Sequence, residues 1–287
     1  MEIRKAVRKK AKLRLGLVAA SGAGKTYSAL QLAFGLGGKV GMVDTEHGSG
    51  DLYAHLGDYD IINIEAPYTV QKYREAMAAF ESAGYSVIVI DSLSHAWAGD
   101  GGLLDKQGKI ADSGRGNSYT AWRSITPEHN GLIDAMLQSP CHVIATMRAK
   151  VEYVIEKNDK GKDTPRKVGM APVQREGMDY EFTVVLDIDA QHIASASKDR
   201  TGLFDGQYFK ITQATGKTLT DWLESGADGA TLILQELTAA TEVGTDALIA
   251  AYGRLKTQPG FKAVWASEGD ALKAAAALND EPQKEAA

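Results

Sequence analysis

From residue 13 onward, short apolar runs alternate with stretches of helical spacing. Residues 13–18 form the first run, and residues 27–34 after it carry apolar side chains at helical intervals. Residues 39–43 follow Gly37-Gly38 and end at Asp44, and residues 60–64 are another short run. Residues 70–83 are spaced as a helix that stops at Gly84, and residues 87–90 are unbroken Val and Ile ending at Asp91. Runs of that kind suit strands buried on both faces, and strands separated by helices predict an α/β fold with a mainly parallel sheet. Residues 128–137, with Pro127 near their start, predict a further helix, and residues 142–146 the next strand.

The pattern changes after Lys150. Residues 156–175 are polar, with Lys157, Lys160, Lys162, Arg166, Lys167 and two glycines, and predict a long mobile loop. Residues 181–188 and 192–197 predict an antiparallel pair around Asp189-Ala190, with 208–211 as another strand. Alanine and leucine then recur at helical spacing from Thr218 to about Leu278, and 279–287 is expected to be disordered. The division this implies is a basic arm at 1–12, an α/β core at 13–215, a helical region at 216–278 and a tail at 279–287. In the helical region Trp222, Leu232, Leu234, Leu237, Leu248, Tyr252, Leu255 and Trp265 fit a small helical core, a partner-docking module being the other reading.

Composition narrows the classes. The 287 residues are 44% hydrophobic and 24% charged, as in an ordinary globular protein. With a net charge of −5, nucleic-acid binding has to be local rather than a property of the whole chain. Cys141 is the only cysteine, which excludes a disulfide framework and fits a reducing compartment. No apolar stretch approaches the ~20 residues that span a bilayer. The basic run Arg4, Lys5, Arg8, Lys9, Lys10, Lys12 and Arg14 lacks the apolar core of a secretory signal. A cytoplasmic protein with no membrane partner is the expectation.

The chemistry starts at residues 19–26, Ala-Ala-Ser-Gly-Ala-Gly-Lys-Thr, between an apolar run and a helical one. Such a turn points consecutive backbone N–H groups at phosphate oxygens, and the following helix adds the positive end of its dipole. Ser21, Gly22, Ala23, Gly24, Lys25, Thr26 and Tyr27 are the candidate nucleotide contacts. Lys25 would reach the β- and γ-phosphates of ATP, and the Thr26 hydroxyl would ligate Mg²⁺. Ala19 stands where the strict pattern has Gly. Asp91, ending the Val-Ile run, is the second candidate for Mg²⁺. Glu46, in Asp44-Thr45-Glu46-His47 at another strand end, is the candidate general base for an attacking water.

These segments resemble RecA-type recombinase core ATPases, and more closely the small phage-encoded recombinase and single-strand-annealing ATPases of that superfamily. The resemblance rests on Asp44-Thr45-Glu46-His47 and on the run from Val87 to Ser92, and it covers roughly residues 13–212. It implies a RecA-like fold, ATP hydrolysis stimulated by DNA, and an oligomer, filament or ring, with ATP between subunits. By alignment from Glu46, Tyr53 falls where the family's adenine-stacking tyrosine lies. The family's nucleotide-sensing glutamine falls on Thr146, a departure. Lys198 and Arg200 match a cationic pair that reaches into the neighbouring subunit's nucleotide and completes its catalytic set. The family's two DNA-facing loops correspond to residues 99–117, with Lys106, Lys109 and Arg115, and residues 150–178, with Lys150, Lys162, Arg166 and Lys167; Arg148 adjoins the second. Cations on flexible backbone suit the phosphates of single-stranded DNA, the competing reading being a solvated loop diluted by Glu152, Glu156, Asp159 and Asp163. A single-strand-binding protein is a further candidate partner. A hexameric DNA helicase or helicase loader on the same core, and a nucleotide-gated scaffold that does not hydrolyse ATP, are the alternatives.

Overall fold

The computed structural model describes residues 6–113, 118–157 and 163–280, without the side chains of 118–119, 151–157 and 163–169. In chain order the first half reads β1 (Arg14–Ala19), α1 (Lys25–Leu36), β2 (Val40–Asp44), β3 (Asp60–Asn63), α2 (Val70–Ser82), β4 (Val87–Asp91), α3 (Ser94–Ala98), α4 (Leu103–Asp112) and α5 (Ser118–Gln138). The second half reads β5 (His142–Lys157), β6 (Asp163–Pro172), β7 (Val184–Ile188), β8 (Ala194–Asp199), β9 (Tyr208–Phe209), α6 (Gln213–Glu224), α7 (Gly229–Thr241), α8 (Thr245–Leu255) and α9 (Phe261–Asp280). By contact the chain falls into two compact units, one of Lys12–Trp222 and one in which the residues up to Ala11 join those from Leu223 onward.

In the larger unit the sheet runs β3-β2-β4-β5-β1-β7-β8-β9, with β6 paired to β5 alone. Every pairing from β3 to β7 is parallel, and β8 and β9 add on antiparallel. All positions of β1, β2 and β4 are buried, as expected of apolar strands covered on both faces. Val70, Tyr73, Met77 and Phe80 of α2 recur at intervals of three and four residues and are buried. The Phe80 ring lies where a side chain at Gly41 would stand, so glycine lets this helix sit close on β2. Each large apolar side chain buried in this way contributes about 1.5–3 kcal/mol.

The smaller unit has its own core, in which Ile233 and Leu237 of α7 and Leu248 and Leu255 of α8 meet Phe261, Val264 and Leu272 of α9. The Asp228 carboxylate caps α7 by accepting from the Ala230 and Thr231 N–H groups. The described part of the basic arm pairs here by backbone: Lys10 N–H donates to Ala227 O, and Ala227 N–H to Arg8 O. Lys10 also forms an ion pair with Glu224 at 2.8 Å.

Four expectations change. The long loop expected over 156–175 is largely the antiparallel ribbon β5–β6, with a register shift between Glu152 and Tyr153. Val151, Tyr153, Val154 and Ile155 have strand-forming side chains, but the interspersed charges mask them in a search for apolar runs. Much of the loop expected over 99–117 is the helix α4, in which Lys109 pairs with Asp105 at i, i+4. Asn279 and Asp280, assigned to the tail, end α9, and the Asp280 carboxylate accepts from Thr245 N–H; the rest of that tail lies outside the described residues. The helix expected from Pro127 begins at Ser118 and passes through the proline.

Gly35 of α1 and Gly216 of α6 bring two backbones together. A Cβ at Gly35 would stand 2.0 Å from Gln213 O, and one at Gly216 would stand 2.4 Å from Leu32 O. Alanine at either position is expected to lower stability by about 1–3 kcal/mol through overpacking, measured by urea unfolding. Gly108 of α4, with no atom within 4 Å of its Cβ position, is the control, and alanine there should stabilise by about 0.5–1 kcal/mol.

Candidate active site

Because β1, β2, β4 and β5 run parallel, their carboxyl ends emerge on one edge, with Asp44 opposite Asp91 and Ala19 opposite Arg148. The residues that follow line a cleft of about 530 Å³, among them Lys25, Thr26, Glu46, Asp91, Tyr53 and Arg148. This is where an open α/β sheet binds its ligands.

The loop from Ala20 to Gly24 turns on two glycines with left-handed backbone, Gly22 at φ 78° and Gly24 at φ 85°. Gly24 starts α1, and the first turn of that helix holds no acidic residue, which leaves its positive end to an anion. His192, from the turn after β7, places Nδ1 3.1 Å from Ala23 O and 3.2 Å from the Cβ position of Gly24. The left-handed backbone calls for glycine at 24, and a Cβ there would also crowd the His192 ring. Nothing in the spacing of the sequence marked His192. The Lys25 ammonium donates to Ala19 O at 3.0 Å and Ala20 O at 2.9 Å. Burial lowers its pKa, opposed by the charges of Asp91 and Glu46.

Asp91 is 1% exposed. Its carboxylate accepts from the Thr26 hydroxyl at 2.5 Å and, on the other oxygen, from the Thr146 hydroxyl. Burial pushes its pKa up, and the two hydroxyl bonds act against that. Thr26 and Asp91 are hard oxygen donors side by side. They fit Mg²⁺, which takes one or two protein ligands and fills its remaining positions with phosphate oxygens and water.

Glu46 is placed by Asp44, whose carboxylate accepts from Glu46 N–H at 2.6 Å and from Gly50 N–H at 2.9 Å. Its own Oε1 accepts from Ser92 Oγ and from Arg148 Nε, each at 3.0 Å, and its Oε2 from the Arg148 NH2 group. Burial would raise the Glu46 pKa, but the bonds and charge of Arg148 outweigh it and hold the carboxyl below its ordinary value. Behind it the Thr45 hydroxyl accepts from Ser92 N–H at 2.8 Å and lies 2.8 Å from His95 Nδ1, while the His95 ring stacks on Tyr68.

Arg148, assigned from the sequence to DNA, thus lies in the cleft and is paired with Glu46. Tyr53 lines the cleft as expected, whereas Tyr27 is 44% exposed on α1 and the Ala23 side chain is buried. Of the expected DNA contacts, Lys106 forms an ion pair with Glu128 rather than standing free, and Lys150 is exposed. Arg166 and Lys167 lie on β6, and Arg115 and Lys162 lie outside the described residues.

Lys198 and Arg200 are far from this chain's own loop. Antiparallel β8 sets Lys198 opposite Val185, which is level with Gly16 of β1, three residues before the strand's carboxyl end. That is about 10 Å back along the sheet. Lys198 Nζ donates to the carbonyls of Asp179 and Tyr180, each at 2.7 Å, and Arg200 donates to Tyr180 O at 2.9 Å.

The parallel sheet, the glycine turn and the Lys25–Thr26–Asp91 set together define a P-loop nucleoside-triphosphatase domain. The signature of the family described as AAA domain matches residues 11–223, and the chain belongs to that family of P-loop ATPases. No curated protein matches it. Among solved structures it is similar to a prototypical ATPase from the type III secretion system of pathogenic bacteria, at 11% identity and a TM-score of 0.38 over 99% of this chain and 84% of that one. A likeness that low bears on neither function nor assembly. Among the described residues no helix is long and apolar enough to cross a membrane.

The raised pKa of Asp91 sets a pH dependence. The folded chain holds that proton more tightly than the unfolded chain, so the contribution is fully present below the unfolded carboxyl value and is lost as pH rises through the folded one. Asp91→Asn removes the loss. Without nucleotide or metal, the variant is expected to be more stable than the parent by about 1 kcal/mol at pH 8, with the gap closing toward pH 4. Thermal melts across that range would show it, and Mg²⁺-dependent nucleotide binding should be lost in the same variant.

Proposed function

We propose that this chain is an ATPase that binds single-stranded DNA as an oligomer and serves recombination or annealing, with ATP between subunits. The observation that carries the ATPase part is the convergence of Lys25, Thr26, Asp91 and Glu46 in one cleft. On entry of the triphosphate, the Lys25 ammonium exchanges the carbonyls of Ala19 and Ala20 for phosphate oxygens. The N–H groups of the loop and the start of α1 hold the remaining phosphate charge. Thr26 and Asp91 would hold Mg²⁺, which would supply positive charge to the phosphate oxygens. Glu46 orients a water and accepts its proton as the oxygen bonds to the γ-phosphorus, while the bond from that phosphorus to the β–γ bridging oxygen breaks and ADP and phosphate are released.

The oligomer is supported by Lys198 and Arg200. They lie toward the end of the sheet remote from this chain's own phosphate loop, so cations of this kind serve a nucleotide held by another copy. The DNA part is supported by the resemblance and by the β5–β6 ribbon, which extends from the strand that borders the cleft and bears Lys150, Arg166 and Lys167. Phosphate contacts there would bind single strands without regard to sequence.

ATP turnover with and without single-stranded DNA tests this reading. Glu46→Gln is expected to lower turnover by about a hundredfold or more; an unchanged rate would remove Glu46 from the chemistry. Arg200→Ala and Lys25→Ala should each be inactive alone and recover part of the activity when mixed. No recovery would count against a shared site.

A further inference from the structure

Arg148 sits at a junction. It is the last residue of β5 in register with β1, opposite Ala19, and the next residue, Ala149, already pairs with Pro172 of β6. Its backbone is held on both sides: its N–H donates to Ser94 Oγ at 2.9 Å, and its carbonyl accepts from Val173 N–H at 2.7 Å. What is left to move is the side chain, about half exposed to the cleft.

In the arrangement seen here, that side chain occupies Glu46. Both carboxylate oxygens accept from the guanidinium, and one accepts from Ser92 as well. A carboxylate engaged in this way has little left with which to orient a water, and its proton affinity is held down. The fork that grips a carboxylate also matches a phosphate. The cleft that Arg148 lines is the one in which Lys25 and Thr26 would place the end of a triphosphate.

Given the reading of this cleft as an ATP site, we infer that Arg148 discriminates triphosphate from diphosphate, leaving Glu46 for the γ-phosphate and thereby releasing the general base. A γ-phosphate carries more charge than a carboxylate and offers three oxygens, so it draws the guanidinium away. ADP has no group at that position, and the Arg148–Glu46 pair persists. The base is therefore free only when there is a phosphoryl group to attack.

Calorimetric titration of the full chain with a slowly hydrolysed ATP analogue and with ADP, both with Mg²⁺, tests this. Arg148→Ala is expected to weaken the analogue about tenfold to a hundredfold and to leave ADP within about twofold, as for loss of a charge-assisted pair. Glu46→Gln breaks the pair but keeps Arg148. It should tighten the analogue without changing ADP, a gain that a merely structural role for Arg148 would not give. Equal weakening of both nucleotides by Arg148→Ala, or of neither, overturns the inference. So does an unchanged analogue affinity in Glu46→Gln, which stands as a test even if Arg148→Ala fails to fold. Lys25→Ala separates this from the ATP reading itself. If the parent binds neither nucleotide, or Lys25→Ala binds both as the parent does, the cleft is not an ATP site and the inference falls with it.

Discussion

A carboxylate out of water has to be satisfied or protonated, and Asp91 meets that constraint by accepting two hydroxyls from different elements. Thr26 belongs to the helix after the phosphate loop, Thr146 to the strand between β1 and β4, and Asp91 to β4 itself. The three positions are therefore fixed relative to one another before any ligand arrives. Removing either hydroxyl would leave a buried oxygen short of a donor, a loss of about 1–3 kcal/mol. The bond that joins Thr26 to Asp91 also sets side by side two hard oxygen donors of the kind Mg²⁺ takes. One interaction thus serves both the fold and the site.

The same constraint orders the rest of the edge. Asp44, Glu46 and Asp91 bring three carboxylates to adjacent strand ends, and each is satisfied differently. Asp44 takes backbone N–H groups and so shapes the turn that presents Glu46. Asp91 takes hydroxyls. Glu46 takes a cation, and that is the arrangement a charged ligand can undo, because a hydroxyl or an amide of the fold cannot leave its carboxylate as readily as a half-exposed arginine can swing. Asp44 is thus bound into the backbone of the fold, Asp91 is buried beside Thr26, and Glu46 is held by the group most readily displaced.

The sequence made much of this legible, for identifiable reasons. Unbroken runs such as residues 87–90 suit strands covered on both faces, and a polar residue closing such a strand of a parallel sheet stands at the edge where ligands bind. Hence it was legible from the sequence that Glu46 and Asp91 belong at the edge where the glycine turn presents Lys25 and Thr26, and the cleft brings the four together. Arg148 was misplaced because its strand does not stop where the apolar run stops. β5 continues to Lys157, so a residue that looked like the root of a loop lies inside a strand and borders the cleft. The β5–β6 ribbon was missed for the related reason that strands outside the apolar core need no apolar alternation. His192 was invisible because its role depends on a turn after β7 folding back on the phosphate loop, a contact between residues 169 positions apart. Thr146 stands where the resemblance places a nucleotide-sensing glutamine. Its length suits the carboxylate it meets, which lies on the adjacent strand rather than on a nucleotide.

The distribution of cations carries the synthesis one step further. A triphosphate and its attacking water need positive charge on two sides of the γ-phosphorus, from below through Lys25 and Mg²⁺ and from the open side of the cleft. On the open side this chain supplies Arg148, which in the structure described is already committed to Glu46. Its other pair of clustered cations, Lys198 and Arg200, is held toward the far end of β1 by the carbonyls of Asp179 and Tyr180. The register between β7 and β8 sets that pair about 10 Å back along the sheet from the loop of its own chain. The cations therefore stand at two levels of the sheet, Arg148 lining the cleft and the Lys198–Arg200 pair tied to backbone carbonyls away from it. In the shared-site reading proposed above, the second group would complete the cleft of another copy, and the charge balance at the γ-phosphate would belong to the assembly rather than to the single chain.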